Sequence, residues 1–184
     1  MKKWAIFLLF LVCLSGCGAS EEIERGMALR SSLLRSSGSF DTEITADYGE
    51  KCHVFSMQCD FDESGNLGFE VTAPEEISGI TGNIRNATGA LTFDDTVLYF
   101  DLLTDDQLSP VSAPWIFLKT LRSGYLTSAG KEEELLRLSI DDSYEEDALH
   151  LDIWLNGDNI PEYAEIVYDG RRILSLDVEN FRFA

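Results

Sequence analysis

The chain has 184 residues, enough for one domain with a proper core. Its 33 Asp and Glu against 14 Lys and Arg give a formal charge of −19 and a pI near 4.2. A surface of that sign repels phosphate backbones and anionic headgroups, which argues against nucleic acid as a partner and against close apposition to lipid.

The first predicted element is a targeting segment. Lys2 and Lys3 precede an apolar run from Trp4 to Leu14, followed by small residues and a cysteine. A basic start, a short apolar stretch and a small-residue cleavage site describe a secretory signal too short to span a bilayer. Its ending, Leu14-Ser15-Gly16-Cys17, resembles the bacterial lipobox. That resemblance implies a diacylglycerol on the Cys17 thiol, cleavage after Gly16 and an acylated new amino terminus, with palmitate as a typical acyl group. The expected organisation is a signal peptide at 1–16, a lipidated terminus at 17–20 and a single domain at 21–184. Two acyl chains give stable anchoring where one is marginal. The expected location is therefore the cell membrane on its extracytoplasmic face, with the membrane itself as first partner through Cys17. The processed chain would keep 168 residues and carry 12 basic against 33 acidic side chains, a formal −21.

Residues 21–35 predict a helix, with acids in the first turn, arginines near the end, and Ile23, Met27 and Leu34 roughly along one stripe. From Phe40 the apolar period becomes two. Thr42, Ile44, Ala46 and Tyr48 alternate, and Gly49-Glu50 fits a two-residue turn with glycine first. A strand over 51–61 puts Phe55, Met57, Cys59 and Phe61 on one face. Cys52 falls on the other face, too far along to bridge Cys59. A turn at 62–66 leads to Leu67, Phe69, Val71 and Ala73, stopped by Pro74.

Further strands are predicted over 77–84, 91–93 and 97–103. A buried helix then starts near Ser112 and Pro114, ends before Gly124, and is filled by Trp115, Ile116, Phe117, Leu118 and Leu121. Leu136, Leu138 and Ile140 mark the next strand. Leu149, Leu151, Ile153 and Leu155 alternate most cleanly, with His150, Asp152 and Trp154 opposite. Residues 163–168, the Asp169-Gly170 turn and a final run through Leu174, Leu176 and Val178 to Phe183 close the chain. The fold class expected is α+β, mainly β. About ten strands form a curved antiparallel sheet or unclosed β-barrel, with an N-terminal helix and a second, buried helix covering it.

The order of elements and a few short motifs carry a family likeness. It rests on an N-terminal amphipathic helix, a long meander and a helix near the Ser109-Pro110 and Ala113-Pro114 pairs. It rests also on a closing pattern of Trp154-Leu155, Pro161, Glu165-Ile166, Gly170 and Val178-Glu179-Asn180-Phe181. In these features residues 21–184 resemble the lipoprotein-localisation (LolA/LolB-like) superfamily. The resemblance implies a half-barrel with helices plugging one side, in exported carriers and related envelope lipoproteins.

Signs of catalysis are few. His53 and His150 are the only histidines, no Cys-x-x-Cys occurs, and neither a nucleophile elbow, a P-loop nor a Gly-x-Gly-x-x-Gly is present. Asp60 to Asn66 copies the first half of a calcium loop, but Val71 stands where a bidentate glutamate is needed, so it reads as a hairpin turn. No enzyme, cofactor or metal is expected. Two functions remain. In the first, a half-barrel holds a hydrophobic small molecule or lipid, such as an acyl chain, in a cavity lined by Phe55, Met57, Phe69, Trp115 and Leu118. In the second, a surface-tethered acidic protein docks a basic extracytoplasmic protein partner, and those positions are solidly packed.

Overall fold

The computed structural model describes residues 21–93, 96–101, 103–104, 107–145 and 148–184. The signal segment at 1–16, Cys17 and the tether at 18–20 lie outside the described residues. Helix α1 spans Glu21–Leu33 and leads into a meander of β1 (Gly38–Asp47), β2 (Cys52–Phe61) and β3 (Leu67–Ala73). A short 3₁₀ turn at Glu75–Ile77 precedes β4 (Thr81–Arg85), β5 (Thr88–Phe93) and β6 (Thr96–Asp101). A small hairpin, β7 (Leu103–Thr104) with β8 (Gln107–Leu108), and a 3₁₀ turn at Pro110–Ser112 bring the chain to α2 (Ala113–Ser123). The second half holds β9 (Tyr125–Glu132), β10 (Leu135–Asp141), β11 (His150–Leu155), β12 (Pro161–Tyr168) and β13 (Arg171–Phe183).

Eleven of these strands form one antiparallel sheet in the order β6-β5-β4-β3-β2-β1-β13-β12-β11-β10-β9. The last strand pairs with the first, so the two meanders join through β13 and β1, with Ile44 opposite Leu176. The ends, β6 and β9, do not pair with each other. The fold is thus the expected open half-barrel, mainly β, with one N-terminal and one further helix.

The inner face follows from the period of two. Phe40, Ile44 and Ala46 on β1, Phe55, Met57, Cys59 and Phe61 on β2, and Leu174 and Leu176 on β13 are all buried. The hairpins are built as the sequence implies. Gly49 takes φ of 86° in the first turn, and Asp169 and Gly170 both adopt positive φ, as a tight right-twisted hairpin requires.

Several elements differ from expectation. The face of α1 that meets the sheet is Gly26, Leu29 and Leu33, while Met27 and Leu34 are about half exposed. Gly26 decides this, because its missing side chain lets the helix settle against Leu138. Residues 125–132 form a strand where none was expected. The register slips between Ser139 and Ile140, so Leu126 and Ala129 both face inward although three residues apart, and the alternation is hidden. The strand expected over 77–84 begins only at Thr81, because Ile77 closes a 3₁₀ turn over Glu75–Ile77.

Two arginines fix the helices. Arg30 of α1 donates to the Leu121 carbonyl at 2.7 Å and the Gly124 carbonyl at 2.8 Å, at the C-terminal end of α2. Arg122 of α2 donates in return to the Leu33 carbonyl at the end of α1, and to the Glu63 carbonyl in the β2–β3 turn. Each helix supplies the cation for the other's orphan carbonyls and negative dipole end. Arg25 adds a third tie, to the Asn156 carbonyl and Asn159 side chain in the β11–β12 turn. α1 consequently packs on β9, and α2 on β10, β12 and β13. Arg30→Ala and Arg122→Ala should each lower unfolding free energy by about 1.5–3 kcal/mol. The double variant should lose less than the sum, since both hold one helix pair. Urea unfolding followed by circular dichroism checks this, and changes within about 0.5 kcal/mol would mean surface residues of no consequence.

Candidate functional site

The helices crowd one half of the inner face, so the other half decides what can bind. On β3 to β6 the register aligns Phe69, Gly82, Leu91 and Leu98 in one row across four strands. Phe69 lays its ring over Gly82, and Phe100 lays its ring over Gly89, so two aromatics cover bare backbone in place of local side chains. Beyond them Ile80, Leu91, Phe93, Thr96 and Leu98 line an open, mostly apolar cavity of about 360 Å³. Phe93 is 49% exposed and Leu98 60% exposed, a high value for an inward-facing leucine. The open edge of the half-barrel is therefore an apolar mouth of small-ligand size.

The outer face is polar and divides in two. Over β13, β1, β2 and β3 lies a trough of about 550 Å³ bordered by Asp41, Asp60, Glu70, Asn180 and Arg182. Beside it a smaller one of about 290 Å³ is bordered by Asp41, Glu43, Asp177 and Glu179. Part of the chain's acidity thus gathers on one sheet face, where strand alternation projects it outward.

Over β10 and β11 the outer face carries a buried carboxylate. Asp152, only 5% exposed, accepts from Arg137 at 2.7 Å and from the Ser139 hydroxyl at 2.6 Å, and lies 3.3 Å from His150 Nε2. His150 Nδ1 meets Asp141 at 2.6 Å, and Arg137 stacks over Trp154. Burial works to raise the Asp152 carboxyl. The hydrogen bonds from Arg137 and Ser139 and the neighbouring His150 outweigh it and hold the group below the ordinary carboxylate range. Ser139 spends its proton on Asp152 rather than on His150, so the trio ties two strands together and presents no activated nucleophile.

The sequence-predicted positions fall as follows. Phe55, Met57, Phe69 and Leu118 are buried in the core cluster, and Trp115 is partly buried against it. Phe69 shares its row with the mouth. Cys59 is buried, and its thiol is pushed up by burial and by Asp60 and Asp41, while Cys52 is exposed; both are free. The Asp62 carboxylate in the candidate calcium loop is taken by Asn66 and the Ser64 amide, as in a hairpin turn. Among the described residues no group of three or more His, Cys, Asp or Glu is placed to hold a metal, and no helix is long and apolar enough to cross a membrane. Sequence reasoning missed Ile80, Leu91 and Phe93 as a lining, although the doubly apolar run 97–100 marked the neighbouring strand.

No family model and no curated protein matches the chain. Among solved structures it is similar to an uncharacterized conserved protein from Thermus thermophilus, at 8% identity and TM-score 0.49, covering 89% of this chain and 88% of that one. It is also similar to a chain in the complex of the CwlD amidase from Clostridioides difficile with the GerS lipoprotein, at 12% identity and TM-score 0.48, covering 92% and 99%. A third is a LolA superfamily protein from Nitrosomonas europaea, at 6% identity and TM-score 0.44, covering 86% and 93%.

The depressed Asp152 carboxyl makes the stability of the fold depend on pH. A carboxyl depressed by folding contributes stability that is fully present above its unfolded value, near 4, and lost as pH falls through the folded value. Asp152→Asn should therefore flatten the acid limb of the stability profile, leaving the part due to the likewise depressed Asp62. It should also cost about 2 kcal/mol at neutral pH. Thermal unfolding between about pH 2 and 7 reads both effects.

Proposed function

We propose that this chain is an exported lipoprotein, anchored to the outer side of a cell membrane through Cys17, whose half-barrel binds a hydrophobic ligand of the lipid or acyl-chain type. The observation that carries the ligand reading is the apolar mouth between Ile80, Leu91, Phe93, Thr96 and Leu98. An uncovered apolar concavity on an otherwise acidic chain costs stability in water and is regained only when something apolar fills it. Phe69 stands at the inner end of that mouth, with Phe55, Met57, Trp115 and Leu118 in the packed layer behind it. A longer chain would enter by parting that layer. The proposed role is binding rather than catalysis.

A second reading, docking of a basic extracytoplasmic protein, is favoured by the two carboxylate-bordered troughs on the outer face. Opposite potentials would steer such a partner and fix its orientation. Both readings allow the same anchor.

The ligand reading is tested with a fluorescent fatty acid. The chain should quench or enhance the probe saturably, and Phe93→Glu should weaken binding about tenfold or more, the worth of one buried aromatic contact. Absence of saturable binding by the unaltered chain would reject it. The anchor is tested by metabolic labelling with palmitate, where Cys17→Ser should abolish incorporation and full incorporation by that variant would reject lipidation at this residue.

A further inference from the structure

The two edges of the sheet are not alike. β9 is bent by its bulge, ends in Lys131 and Glu132, and has α1 packed on it, all devices that discourage further pairing. β6 pairs with β5 without a register shift, and its one charged residue is Asp101 at the end. It stands at the end of the strand order and pairs only with β5 among the described residues, so one row of its N–H and C=O groups faces away from the sheet. Within Thr96-Val97-Leu98-Tyr99-Phe100-Asp101 there is no lysine, arginine or proline. Val97, Leu98 and Tyr99 are 50%, 60% and 78% exposed, and they point to both faces in turn. Leu98 faces the mouth with its partner Leu91, while Val97 and Tyr99 lie on the outer face with Thr92 and Ala90.

We propose that β6 is a strand-addition site, taking an extended segment of another protein as the next strand of the sheet. The segment would be apolar on alternate residues and flanked by lysine or arginine. Backbone pairing supplies affinity, and the side chains beside Leu98 and Tyr99 supply selection. The sign of the flanks follows from charge. Asp94-Asp95 precede the strand in sequence and Asp101 closes it. Two copies meeting along β6 would bring together chains that already carry −19 each. A second copy is thereby disfavoured and a basic-flanked strand selected. This inference rests on the second reading for the partner's charge, and locates the contact on the edge rather than in the troughs.

The test uses the full chain in nonionic detergent and a fluorescein-labelled peptide of alternating valine and threonine with two lysines at each end. Saturable binding by fluorescence anisotropy is expected, weakened by added salt and lost with glutamates in place of the lysines. Val97→Lys with Tyr99→Lys, which leaves the mouth residues in place, should weaken it about tenfold or more while fatty-acid binding persists. No binding, or equal binding of both peptides, overturns the proposal. Loss on Asp41→Lys with Glu70→Lys but not on the edge variant also overturns it, placing the peptide in the trough and sparing the second reading. A dimer in sedimentation that the edge variant dissociates would give the edge to a second copy, and would likewise overturn it.

Discussion

The reciprocal arginine clamp is the constraint on which the rest of this architecture depends. An open sheet of eleven strands has far more apolar inner face than two helices of 13 and 11 residues can cover. Which part stays bare is decided by where those helices are held. Arg30 and Arg122 bind each helix to the carbonyl end of the other, and Arg25 pins α1 to the far hairpin. These are charge-assisted bonds to groups that would otherwise be orphaned, so the positions are fixed more firmly than apolar contact alone would fix them. The consequence lies across the sheet, where Leu91 and Phe93 of β5 and Leu98 of β6 keep an unfilled apolar face.

The two faces of the sheet then divide the work. The inner face runs from a dense aromatic cluster, where Phe40 stacks against Phe181 and meets Phe117 edge-on, to the exposed Leu98 at the rim. The outer face carries charge. Near β1 to β3 the carboxylates border open troughs, whereas near β10 and β11 Asp152 is buried and satisfied by Arg137 and Ser139. In the first region the carboxylates stand at open concavities, and in the second the carboxylate holds strands together.

Much of the fold was legible because strand alternation and turn chemistry agree along the chain. Residues 149–155 and 169–178 reveal their inner faces directly, and the glycine turns at 49 and 170 fall where expected. What stayed hidden has physical causes. A glycine at 26 let α1 turn Leu29 and Leu33 to the sheet in place of the stripe of Ile23, Met27 and Leu34. A bulge beside Thr127 concealed β9. The candidate site was less legible than the fold. Phe69 and Leu118 were visible as apolar, but apolarity does not distinguish a packed residue from a lining one. The mouth exists because the helices stop short of it, and that is a long-range outcome of Arg30 and Arg122, which a local reading sees only as helix-end charges.

The clamp leaves an apolar mouth at Ile80, Leu91, Phe93 and Leu98, and the proposal is that a hydrophobic ligand fills it. Titrating the isotopically labelled chain with a medium-length fatty acid, and following amide and methyl resonances, tests it most directly. Shifts should concentrate on those four residues and fade through Phe69, with α1 and the outer face silent. Shifts centred on α1, α2 or the acidic troughs, or none at saturating ligand, would contradict the account.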